Sequence, residues 1–125
     1  MISDTDAWVE NSIVSSPARG GLVVPAARLK EICDRYSVHK IDFLKMNIEG
    51  AERRALIGME DVMNRIATVC VACHDFRAES GHGEDFRTRI MVEQFLLRHG
   101  FQLRSRPDHP ADYVRDHLFG VRSTQ

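Results

Sequence analysis

Short apolar pulses alternate along this chain with segments of helical spacing, and the pulses predict strands. From Ile41 the chain reads Ile-Asp-Phe-Leu-Lys-Met, apolar except for Asp42 and Lys45, then turns polar at Asn47, Glu49, Gly50 and Glu52. So short and apolar a run predicts a strand buried inside a parallel sheet. Leu56, Met59, Met63 and Ile66 follow three or four apart, which predicts a helix ending near Arg65. Gly50 allows a sharp exit from the strand, and Glu49 and Glu52 suit the positive end of the helix dipole. Ala67-Thr-Val-Cys-Val-Ala-Cys73 is a second continuous run, rich in β-branched residues, and it too turns polar, at His74-Asp75-Phe76.

Outside this centre the pattern is weaker. Residues 1–24 form an irregular or strand-containing lead-in, with one apolar stretch from Trp8 to Val14 and another at Leu22-Val-Val24. Pro25 suits the first turn of a helix, because its missing N–H would go unpaired there anyway. Leu29, Ile32, Cys33 and Tyr36 then predict one apolar helix face. Arg77 to Asp85, containing Ser80-Gly-His-Gly83, reads as a mobile loop. Thr88 to His99 predicts a helix with Ile90, Met91, Phe95 and Leu96 or Leu97 inward, closed by Gly100. Phe101 to Arg106 alternates as a strand, Pro107-Asp-His-Pro110 breaks it, and Tyr113 to Arg122 predicts a last strand. The order is helix, strand, helix, strand, helix, strand, strand. That implies an α/β fold, with a parallel sheet closed by an antiparallel hairpin.

Composition narrows the function classes. At 125 residues, 43% apolar and 28% charged, the chain is one ordinary domain with one core. The net charge is −1 and the basic residues are scattered, which argues against nucleic acid. No apolar run approaches the roughly 20 residues of a membrane helix. The N-terminus lacks the charge and apolar core of a secretory signal. Three cysteines without an export signal imply reduced thiols and a cytoplasmic setting.

The candidate chemistry gathers where the two buried runs turn polar. Neighbouring parallel strands lie roughly 4.8 Å apart, so strands ending at Asn47 and Cys73 would bring Asn47, Glu49, His74 and Asp75 to one sheet edge. A carboxylate beside an imidazole orients it and raises its basicity, as a general base acting on a hydroxyl requires. The alternative is that Glu49 caps a helix while His74 and Asp75 satisfy backbone groups. Lys45, inside an apolar strand, would need Glu49 or Asp42 as a partner. Cys70-Val-Ala-Cys-His74 matches a haem-attachment signature and half a zinc site. Cysteines three apart in a strand face opposite sides, however, so they read as small core residues. His82, between two glycines, sits in a loop able to close over a substrate. A metal-dependent hydrolase using Glu49, His74 and Asp75 has no further ligand spacing behind it.

Lys45-Met-Asn-Ile-Glu-Gly-Ala-Glu52 resembles the signature of the FkbM-type methyltransferases, enzymes of the class I, Rossmann-like fold that use S-adenosylmethionine. Lys45, Glu49, Gly50 and Glu52 match the pattern, and Asn47 stands where the family has aspartate, keeping a hydrogen-bonding oxygen but losing the charge. The His74-Asp75-Phe76 step and the closing pair of strands are similar too. The resemblance implies the carboxyl-terminal half of a doubly wound sheet, without the glycine-rich first motif or the acidic residue that holds the cofactor ribose. It implies methylation of a hydroxyl oxygen on a small molecule or glycan. His74 would be the base or a substrate contact, oriented by Glu49, with Asn47 beside them and Lys45 a supporting charge. Asp75 and His82 would be substrate contacts. Without the first motif, the chain alone is expected to bind S-adenosylmethionine poorly. The alternative reading is a truncated, non-catalytic chain whose incomplete sheet edge another chain covers.

Overall fold

The computed structural model describes residues 24–122, together with the backbone of 2–3 and 21–22. Ile2–Ser3 (β1) and Gly21–Leu22 (β2) form a small antiparallel pair. The expected Trp8 to Val14 stretch lies outside the described residues. There follow Leu29–Arg35 (α1), Ile41–Met46 (β3), Glu52–Met59 (α2) with a 3-10 extension Glu60–Arg65, and Ile66–Ala72 (β4). Asp75–Glu79 (α3), a 3-10 turn Glu84–Phe86, Arg89–Arg98 (α4), Phe101–Arg104 (β5), Asp112–Arg115 (α5) and His117–Arg122 (β6) complete the order.

The strands from β3 onward form a mixed four-stranded sheet in the order β3-β4-β6-β5. β3 and β4 are parallel neighbours, with Leu44 opposite Val69 and Met46 opposite Val71, as the two apolar runs predict. β5 and β6 form the expected antiparallel pair, and β6 also lies antiparallel against β4. The fold is α/β. Its core joins Met46, Val69, Val71, Phe101 and Leu118 of the sheet to Leu56 and Met59 of α2 and Val92, Phe95 and Leu96 of α4.

The position of β3 corrects one expectation. It is not buried on both faces, because among the described residues it is the margin of the sheet, and Asp42, Phe43 and Lys45 are exposed while Met46 is buried. β4, flanked on both sides, is the strand that is almost wholly enclosed. Three helical readings also shift. Pro25 lies before α1 rather than in its first turn, since the helix is set by Arg28, whose backbone N–H donates to Glu31 Oε2 at 3.1 Å. Of the face expected on α1 only Cys33 is buried, and Ile90 of α4 is exposed while Val92 takes the core position. The segment read as a loop is α3 as far as Glu79, followed by a turn at the left-handed Gly81 and Gly83. The segment from Tyr113 begins as α5 and becomes a strand only at His117.

Candidate active site

Two turns place the site. After Met46, β3 ends and Glu49 and Gly50 both take left-handed backbone, with φ of 53° and 92°, before α2 starts at Glu52. Glycine adopts that region freely, but a glutamate there is held against its preference. The kink brings Glu49 and Glu52 to the carboxyl end of β4. There His74, buried, follows Cys73 and leads into α3.

His74 lies between two carboxylates. Its Nε2 is 3.2 Å from Glu49 Oε1 and its Nδ1 is 3.2 Å from Glu52 Oε1. The Nδ1 contact is close enough for an ion pair but is not aligned as a hydrogen bond, and Glu52 Oε2 is buried without a hydrogen-bond partner. Glu52 is 0% exposed and its Oε1 accepts the Gly50 N–H at 3.3 Å. Arg77, one turn along α3, donates from Nη1 to Glu49 Oε2 at 2.5 Å, and its guanidinium lies 4.7 Å from the Phe86 ring centre. The result is a continuous row, Arg77–Glu49–His74–Glu52. Burial works against a charge on His74, but the Glu52 carboxylate and the field of Glu49 outweigh it, and the imidazole pKa is held above its ordinary value. Beside it, burial pushes the Cys73 thiol up to about 12, with help from the charges of Glu52 and Asp75.

The structure therefore brings two of the expected residues, Glu49 and His74, into contact, and distributes the others. Asp75 serves the backbone: its Oδ1 accepts the N–H groups of Thr88 and Arg89, each at 2.9 Å, at the start of α4. His82 is exposed and closes its own turn, with Nδ1 3.2 Å from the Arg77 carbonyl. Asn47 is exposed at the end of β3, and no hydrogen bond or ion pair among the described residues joins it to His74. Lys45 is exposed, not buried; Asp42 pairs instead with Lys40 at 2.6 Å and Glu49 with Arg77. All three cysteines are free thiols buried in the core, as the strand reading of Cys70 and Cys73 implies.

Two members of the row escape sequence reasoning. Glu52 reads as a first-turn acid suited to the helix dipole, and only the left-handed step at Glu49-Gly50 turns it inward. Arg77 falls in a segment that reads as loop, and it reaches Glu49 only because α3 forms. The signal available for Glu52 was its place as the last acid of the motif at residues 45–52.

No curated protein and no solved structure matches the chain. A family described as Methyltransferase FkbM domain matches residues 2–103, a stretch that includes the β3–α2 turn, β4 and His74. The chain belongs to the FkbM methyltransferase domain family.

Proposed function

We propose that this chain takes part in S-adenosylmethionine-dependent methyl transfer to a hydroxyl oxygen of a small molecule or glycan, on the second half of a class I, Rossmann-like sheet. The observation that carries this reading is the row of Glu49 with the buried His74 and Glu52 at the carboxyl ends of two parallel strands, in a methyltransferase family. Ligands of parallel α/β sheets bind outside those ends. Within the row, Glu49 and Arg77 keep 16% and 21% of their side chains exposed, so an acceptor reaches the network through them. The Glu49–His74 pair would take the hydroxyl proton.

S-adenosylmethionine, the usual donor of such families, supplies an electrophilic methyl group when bound. The described residues do not form its cradle. Gly50 is the glycine of the β3–α2 turn, its N–H donates to Glu52, and both nearby carboxylates are occupied by His74 and Arg77. No residue is assigned to the donor, and weak donor affinity is expected.

The test is an assay of the purified chain with methyl-labelled S-adenosylmethionine in millimolar excess and a panel of monosaccharides and polyols, read by mass spectrometry for a methyl ether. A labelled ether that disappears in Glu49→Gln supports the proposal. A folded chain giving no ether with any acceptor would overturn it. That outcome would favour the second reading, a non-catalytic chain that pairs with another polypeptide. One observation favours this reading in its own right. Phe43, Phe119 and Val121 share the sheet face opposite the core and are 56%, 38% and 48% exposed.

A further inference from the structure

We propose that the cavity at the amino ends of the two parallel strands binds the phosphate group of a small soluble molecule, held by His39, Lys40, Arg65 and Arg122. This site lies at the end of the sheet opposite His74. It goes beyond the methyl transfer and stands whether or not the chain catalyses it.

The topology gathers these residues. β3 and β4 run parallel and so begin at the same end of the sheet, while β6, antiparallel to β4, finishes there. His39 and Lys40 lead into β3, Asn64 and Arg65 close the 3-10 extension of α2, Ile66 opens β4, and Arg122 ends β6. Together with Ala67 they line a cavity of about 450 Å³, and no carboxylate among the described residues lines it. That volume lies within the range of small-molecule sites.

Arg122 carries the argument. Its Nε donates to the Ile66 carbonyl at 3.3 Å and its Nη2 to the Met63 carbonyl at 2.7 Å, and its guanidinium lies 4.6 Å from the Phe101 ring centre. These partners fix the planar group, but they are uncharged. No carboxylate among the described residues pairs with it. An arginine has five N–H donors, so a half-buried Arg122 that spends two on carbonyls keeps both donors and charge for an anion.

The other cations are lightly committed. Lys40 pairs with Asp42 at 2.6 Å, but both side chains are largely exposed; such pairs are worth little, so the ammonium swings to a better anion at small cost. Arg65 Nη1 donates to the Val38 carbonyl at 3.2 Å and lies 3.6 Å from Asp34, whose carboxylate is shared with Lys30. Exposed His39 and Asn64 add neutral N–H donors. A guanidinium matches two phosphate oxygens at once, and an ammonium serves as a point charge. A nucleic-acid backbone would need a basic stripe, whereas here the cations line one cavity in a chain whose basic residues are otherwise scattered.

The experiment is calorimetric titration of the whole chain with inorganic phosphate, at an ionic strength held constant with sodium chloride. Saturable binding of one phosphate per chain is expected. The double variant His39→Gln with Lys40→Gln removes two exposed side chains and should weaken binding about tenfold or more, the loss of charge-assisted hydrogen bonds. Arg122→Gln should weaken it at least as much; if that variant does not fold, the double variant alone decides. Arg54→Gln, exposed on α2, removes a positive charge elsewhere and should leave binding unchanged. No saturable heat with up to about 10 mM phosphate, tenfold above a dissociation constant of about 1 mM, would overturn the proposal. So would a double variant that binds like wild type, or an Arg54→Gln that binds as weakly as the double variant. Displacement of phosphate by a lower concentration of an oligonucleotide lacking terminal phosphates would also overturn it, in favour of a nucleic-acid contact.

Discussion

His74 carries a consequence for stability as well as chemistry. Its pKa in the folded chain lies above the ordinary histidine value, because Glu52 and Glu49 outweigh the cost of burial. The folded state therefore holds its proton to higher pH than the unfolded chain does. The stabilisation is complete below the unfolded pKa and is lost as pH rises through the folded one. The urea midpoint should accordingly fall as pH is raised from the ordinary histidine range toward mild alkali, and His74→Gln should flatten that fall. A midpoint that rises over the same window would contradict the raised pKa of His74. At this scale the sequence offers a carboxylate beside His74 as one of two readings, and it does not say which ring nitrogen each carboxylate meets. Polarity at a strand end locates Glu49 and His74. It does not reveal the left-handed step that folds Glu52 underneath, because φ at Glu49 is set by the junction of β3 and α2 rather than by the residue's own preference.

Among the elements, α3 is the joint that fastens the second half of the chain to the site. The Asp116 Oδ2 at the end of α5 accepts the Phe76 N–H at 2.9 Å, and Asp75 accepts two N–H groups at the start of α4. Thr88, which precedes α4, makes no side-chain cap, so Asp75 does that work from a neighbouring helix. Asp75→Ala should destabilise the chain by about 1–2 kcal/mol, the usual worth of a helix cap, while Asp75→Asn should recover part of it. An alanine variant as stable as wild type would return Asp75 to the candidate substrate contacts. The reading of the elements follows the same division. β4, β5 and β6 and the pairing of β3 with β4 are legible because apolar runs and the Pro107 to Pro110 break record them directly. α3 and α5 read as loop and strand because helices of five and four residues leave too few turns to show a periodicity.

Across the whole molecule, β6 holds the sheet together. Gly120 sits at the crossing of three strands, and a Cβ there would lie 2.8 Å from Val69 Cγ1, 3.2 Å from Phe101 and 3.3 Å from Leu103. Valine is stiff at χ1, so Val69 cannot swing aside cheaply. Gly120→Ala should cost about 1–3 kcal/mol, as overpacking of a filled core does, measured by urea unfolding; an unchanged midpoint would show that the strands can separate. The exposed side of β3 is the global feature that the sequence misrepresents. A run such as Ile41 to Met46 reads as doubly buried, yet a strand's burial depends on what lies beside it, and no periodicity states that. The order β3-β4-β6-β5 has one more consequence, for the chain as it leaves the ribosome. β4 and β5 are made well before β6 but do not pair with each other; each waits for the same late strand. Until residues 117–122 are in place, the inner edge of β4 and the whole of β5 remain open to other chains, so a chain released before β6 has docked is at its greatest exposure to aggregation.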